Sequence, residues 1–212
     1  MQRDDAAMAD LRYSWLQAWR DLGLPPPDGV LDALLARWAE PHRRYHTLQH
    51  LRECLALFAA HRDEAGRPGE VAVAVWFHDA IYDTARHDNE AASADWARRV
   101  LREAGASGDV IARVDALILA TRHSQEPATP DERLLVDIDL AILGAERARF
   151  DEYERQIRDE YGFVPEDRFR GKRAEILRGF LGRPALFTTS ALKARFEAPA
   201  RANLAAAIAR LG

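Results

Sequence analysis

Residues 71–83 read VAVAVWFHDAIYD: an unbroken apolar run, Val71–Phe77, followed directly by His78 and Asp79. A segment apolar on every face belongs in a core, and the run predicts a buried helix from Val71 to Tyr82. An ionisable pair in such a helix is costly to desolvate unless each group is paired or binds a metal. The fold and the function both turn on what meets His78 and Asp79.

Two other stretches offer partners. On the N-terminal side, RYHTLQHL (44–51) feeds a helix carrying Leu48, Leu51, Leu55 and Phe58, with His46 and His50 four residues apart. His50 lies next to Leu51 and in phase with Leu57, which puts it near the buried face, whereas His46 stands where the helix begins. On the C-terminal side, LLVDIDLAILG (134–144) embeds Asp137 and Asp139 among apolar residues. Asp139 is in phase with Leu135, Ile142 and Leu143, and Asp137 with Leu134 and Leu140, so periodicity does not choose between them. Imidazole and carboxylate without thiolate suit zinc, iron, manganese and related divalent ions. Cys54 is the only cysteine, which excludes an intramolecular disulfide and thiolate clusters. On its apolar helix it reads as an inert buried residue.

The rest of the chain repeats the helical period. Leu11, Trp15, Trp19 and Leu22 share a face before Gly23 and Pro25–Pro27. Leu31, Leu34, Leu35 and Trp38 do so before Pro41. Val110, Ile111, Val114, Leu117 and Ile118 form another stripe. Phe150, Tyr153, Ile157 and Tyr161 line a further helix, and Phe169, Ile176, Leu177 and Phe180 the next. Pro199 is expected to break the last segment and leave Ala200–Leu211 as the terminal helix. No stretch alternates with period two and no internal repeat is present. The expected class is all-α, with nine or ten helices in one domain over 1–212: N-terminal helices in 1–40, a core in 44–144 that carries the metal site between helices, and C-terminal helices in 145–212.

Net charge of −4 and a pI near 6.0 argue against a broad nucleic-acid-binding surface. A single cysteine, no apolar signal core and no apolar run of roughly 18 residues point to a cytoplasmic protein without a membrane span. The five tryptophans sit mostly on apolar faces without basic interleaving and read as core. Arg168, Arg170, Lys172, Arg173 and Arg178 form a basic cluster interrupted only by Glu175, which reads first as a solvated face.

The ordered set RYHTLQHL (44–51), WFHDAIYD (76–83), DNEAASA (88–94), ATRHS (120–124), LLVDIDLAILG (134–144) and FEAPARANL (196–204) resembles the HD superfamily of metal-dependent phosphohydrolases. It is similar above all to its branch of small bacterial members. The resemblance implies a multi-helix bundle in which His50, His78, Asp79 and one of the two aspartates, Asp139 with Asp137 in reserve, hold a divalent ion with positions left open for water and a phosphate oxygen. It implies that Asp79 serves both the ion and the attacking water, and that Glu90 moves a proton. His46 would orient a ligand or contact phosphate, His123 would contact phosphate or a second metal, and Lys172 or Arg173, where the basic cluster faces the pocket, would pair with substrate phosphate. The implied substrate is a small phosphorylated molecule, a nucleotide among the candidates, and a homodimer is compatible with the chain. Two rivals accompany this reading. One is an HD-fold di-iron oxygenase drawing on His46, His123 and the second aspartate; the other is a non-catalytic helical ligand-binding or scaffold protein.

Overall fold

The structure, a computed structural model, describes residues 2–212, with side chains from Ala6 onward. Ten α-helices account for its architecture: α1 (Gln2–Leu22), α2 (Val30–Trp38), α3 (Leu48–Ala60), α4 (Pro68–Phe77), α5 (Asn89–Glu103), α6 (Gly108–Ala120), α7 (Pro130–Asp139), α8 (Arg147–Glu160), α9 (Glu166–Leu181) and α10 (Ser190–Leu211). Short 3-10 turns follow α3 (Arg62–Glu64) and α7 (Leu140–Gly144). No strand occurs among the described residues, so the chain is all-α as its periodicities require. None of these helices is long and apolar enough to cross a membrane. The chain divides into two compact units, Met1–Val136 and Asp137–Gly212, with the boundary inside α7.

In the first unit α4 is the hub, packed by α1, α3, α5 and α6. Every residue from Gly69 to Phe77 is buried. Pro68 opens the helix, where its missing N–H costs nothing, and Glu70 sits in the first turn. Gly69 is there because α1 passes too close for a side chain: a Cβ would meet the Leu22 nitrogen at 2.6 Å and the Asp21 carbonyl carbon at 2.7 Å. Trp15 makes edge contacts with both Trp19 and Trp76 at 5.4 Å, so these tryptophans are core. Glu70, buried at the start of α4, is held by the fork of Arg113 from α6 (2.7 and 2.8 Å). Asp131, on the first turn of α7, accepts from the backbone N–H groups of Gly66 and Arg67 just ahead of α4 (2.7 and 3.1 Å).

The helix carrying the opening stretch ends five residues earlier than its apolar run predicts, at Phe77 rather than Tyr82. The reason is a set of competing partners for the backbone. The Ala80 N–H bonds back to the Phe77 carbonyl (2.9 Å), a three-residue turn that tightens the chain. Arg43 takes the carbonyls of Asp79 and Ala80 (2.7 and 3.2 Å), and Ser93 of α5 accepts from the Ile81 N–H (3.0 Å).

In the second unit, the 3-10 turn Leu140–Gly144 packs against α8 and α10, and α10 lies on α9. A Cβ on Gly144 would fall 2.6 Å from the Phe196 carbonyl oxygen, so glycine permits the close approach. Asn203 donates to the carbonyls of Leu143 and Ala145 (3.0 and 2.9 Å) and ties α10 to the same turn. Pro199 does not end a helix here: it lies inside the 22-residue α10. Proline in a helix interior costs about 3 kcal/mol, and burial of Leu192, Phe196, Ala200, Leu204 and Ala207 on one continuous stripe offsets it. Ile176, expected inward, is 41% exposed, while Arg173 is turned in and buried.

Candidate metal centre

The centre of the first unit's polar chemistry is where α3 begins and α4 ends. Thr47 caps α3 by accepting from the Gln49 N–H (3.3 Å), which fixes His50 within the first helical turn and on the buried side. His50 and His78 are 2% and 1% exposed. Their Nε2 atoms face each other at 3.2 Å. Asp79 Oδ2 stands 3.2 Å from the His78 Nε2 and 3.7 Å from the His50 Nε2.

Second contacts set which atoms point inward. His78 Nδ1 lies 2.8 Å from the Val75 carbonyl oxygen, which can only accept, so Nδ1 carries a proton and Nε2 is the nitrogen turned to the cluster. His50 Nδ1 is 3.0 Å from the Tyr45 hydroxyl. Trp38 walls the site, its ring 5.5 Å from that of His78 and 6.2 Å from that of His50, while its indole N–H donates to the Trp76 carbonyl (3.2 Å).

These separations suit a shared cation. Two ligands bonded at about 2.1 Å to one ion stand about 3.0 Å apart at an octahedral angle and about 3.4 Å apart at a tetrahedral one. Two imidazole nitrogens and a carboxylate oxygen converging in a buried space repel one another and lose water unless a proton or a cation joins them. The donor set is that of zinc, iron, manganese and their neighbours.

Cys54, one turn after His50, also reaches this cluster and was not suggested by its position in the sequence as a lone apolar-helix cysteine. Only the i, i+4 spacing from His50 marks it. Ligand atoms of His50, Cys54 and His78 all lie within 4.8 Å of one another. The sulfur is 3.7 Å from the His50 Nδ1 and 3.8 Å from its Nε2, level with the ring carbon between them. An ion about 2.1 Å out along the Nε2 lone pair would stand roughly 4 Å or more from that sulfur, against about 2.3 Å for a zinc–sulfur bond. Cys54 therefore packs beside the His50 ring.

The other expected residues fall as follows. His46 precedes α3 and stacks on Tyr82 (4.0 Å, 27° between planes), with its ring 5.9 Å from that of His50. Glu90 occupies the first turn of α5, its carboxylate 3.8 Å from Arg122. His123 follows α6 with φ of 54°, a left-handed conformation that histidine, like asparagine and aspartate, adopts more readily than most non-glycine residues.

The remaining candidates belong to the second unit. Asp137 is fully buried and accepts from the N–H groups of Thr188 (2.9 Å) and Thr189 (2.6 Å) and from the Thr189 hydroxyl (2.6 Å). It thereby caps the start of α10, and burial pushes its carboxyl above the ordinary carboxylate range despite these donors. Asp139 is the half-buried last residue of α7. Burial raises the Tyr153 phenol, and the Glu154 and Asp139 carboxylates add to the effect. Arg173 lies over the Tyr153 ring at 5.1 Å and pairs with Glu154; Lys172 is exposed and paired with Glu175 (2.9 Å).

In comparisons with known proteins, no family model, curated protein or solved structure matches the chain.

Proposed function

We propose that this chain is a metal-dependent phosphohydrolase acting on a small phosphorylated molecule, with His50, His78 and Asp79 holding one divalent ion. The observation that carries the reading is the convergence of two oriented imidazoles and a carboxylate at 3.2, 3.2 and 3.7 Å in a buried pocket. The resemblance of the ordered segments to HD phosphohydrolases supplies the reaction class. Asp137 is committed to capping α10.

Such an ion supplies a water of lowered pKa and neutralises charge on phosphoryl oxygens. The chain's own groups would do the rest. Asp79, whose side chain is 15% exposed against 2% for each imidazole, is more open than either histidine and the one of the three fit to accept a proton from the attacking water. His46, held against Tyr82 at the same end of α3, is the residue assigned to the substrate phosphate. Lys172 and Arg173 are engaged by Glu175 and Glu154, and Glu90 by Arg122, so they take secondary places in the scheme.

The test is elemental analysis of the purified chain, then a phosphoester panel with added manganese, cobalt and magnesium on wild type, His78→Ala and Asp79→Ala. Expected are about one divalent ion per chain and turnover lost in both variants. A wild type that binds no divalent ion, or variants that hydrolyse as well as it does, would overturn the reading. Two irons per chain with O₂ consumption would replace it by an oxidative one.

A further inference from the structure

Behind the His78–Asp79 turn lies a cation that no part of this scheme uses. Arg43, in the loop between α2 and α3, is 2% exposed, and its side chain is completely enclosed. Burying a guanidinium is unfavourable unless its donors are met by well-placed acceptors. Here the acceptors are backbone carbonyls of the site itself: Asp79 at 2.7 Å, Ala80 at 3.2 Å and His46 at 3.1 Å. Glu40 receives a further hydrogen bond from Nε at 3.2 Å and supplies the countercharge. The guanidinium carbon stands over two aromatic rings, Trp38 at 5.5 Å and Tyr82 at 5.6 Å. Those are the ring that walls His50 and His78 and the ring on which His46 stacks.

We propose that Arg43 is a positioning residue for the metal centre: its fork fastens the Asp79–Ala80 turn to the His46 loop, and so holds Asp79 against the two imidazoles. The inference rests on the metal-site reading above. In a straight helix neighbouring residues point about 100° apart, at 3.6 residues per turn. For His78 and Asp79 to present side chains to one point, the chain must leave the helix at this position and stay where it leaves. The carbonyls freed by the departure need donors, and a planar guanidinium can reach two of them, those of Asp79 and Ala80, from 36 and 37 residues away, together with the His46 carbonyl, while remaining charged. Lysine offers a single nitrogen and no plane. Groups that orient ligands from behind typically change metal affinity 10–100-fold when removed.

The experiment measures Mn²⁺ affinity by calorimetry on metal-free wild type, Arg43→Met, Arg43→Lys and, as a control for surface charge, Arg37→Met. Arg37 is exposed and also pairs with Glu40. Each protein is titrated at a temperature where circular dichroism shows it folded. Expected are a dissociation constant roughly 10–100-fold weaker in Arg43→Met, an intermediate loss in Arg43→Lys, and no change in Arg37→Met. A merely structural role would lower the melting temperature of the metal-free protein and leave the affinity of the folded fraction alone. A folded Arg43→Met that binds Mn²⁺ as wild type does overturns the proposal while leaving the metal site standing. If Arg43→Met does not fold, unchanged affinity in Arg43→Lys overturns it instead. A wild type that binds no ion overturns this proposal together with the reading it rests on.

Discussion

Replacing Asp137 by alanine tests whether this aspartate is a helix cap or a metal ligand. The substitution removes the acceptor for two backbone N–H groups, those of Thr188 and Thr189, just ahead of α10, together with the Thr189 hydroxyl. Thr189 makes no side-chain cap of its own, so nothing local replaces the carboxylate. Thr188 is exposed and Thr189 half-buried, so water takes over part of the lost bonding, and loss of the cap costs about 0.5–2 kcal/mol. Relief of the desolvation that raises the Asp137 carboxyl offsets part of this. A net loss of about 1–2 kcal/mol follows, or roughly 2–8 °C in melting temperature for a chain of this size. Asp137→Asn keeps one acceptor oxygen and should lose about half as much. The assay is a thermal melt paired with a Mn²⁺ titration below the transition. Asp137→Ala should melt early yet bind the ion when folded. A folded Asp137→Ala that no longer binds, or one as stable as wild type, refutes its assignment as a cap.

Two further outcomes follow from packing. Gly69→Ala places a Cβ against α1 backbone at 2.6 and 2.7 Å, an overpacking that costs about 1–3 kcal/mol, whereas Gly171→Ala on open α9 surface should stabilise by about 0.5–1 kcal/mol; urea melts giving the same sign for both would contradict the packing argument. Cys54→Ala removes a sulfur that lies beside the His50 ring and off the Nε2 lone pair, so Mn²⁺ affinity should stay within about threefold, a ligand's loss being typically larger; a tenfold or greater loss in calorimetry would make the sulfur a ligand.

The helices were legible because apolar residues recur at helical spacing, and the burial of α4 because it is apolar on every side. His50 was legible as an inward residue for the same reason. What periodicity could not carry is anything set by a contact between distant residues. The stop of α4 at Phe77 depends on Arg43 and Ser93, 36 and 12 residues from the groups they bind. The persistence of α10 through Pro199 depends on a buried stripe whose packing outweighs a local penalty. Ile176 faced outward and Arg173 inward because Glu154 and the Tyr153 ring receive the guanidinium. Cys54 looked like filler until the fold set its sulfur beside His50.

By itself, then, the sequence determined an all-helical chain with a buried apolar helix ending in an ionisable pair, since those properties follow from local period and from the cost of burying charge. Only the tertiary structure decided that His78 and Asp79 leave the helix and meet His50 at 3.2 and 3.7 Å, because the donors that free and hold their backbone come from other helices and loops.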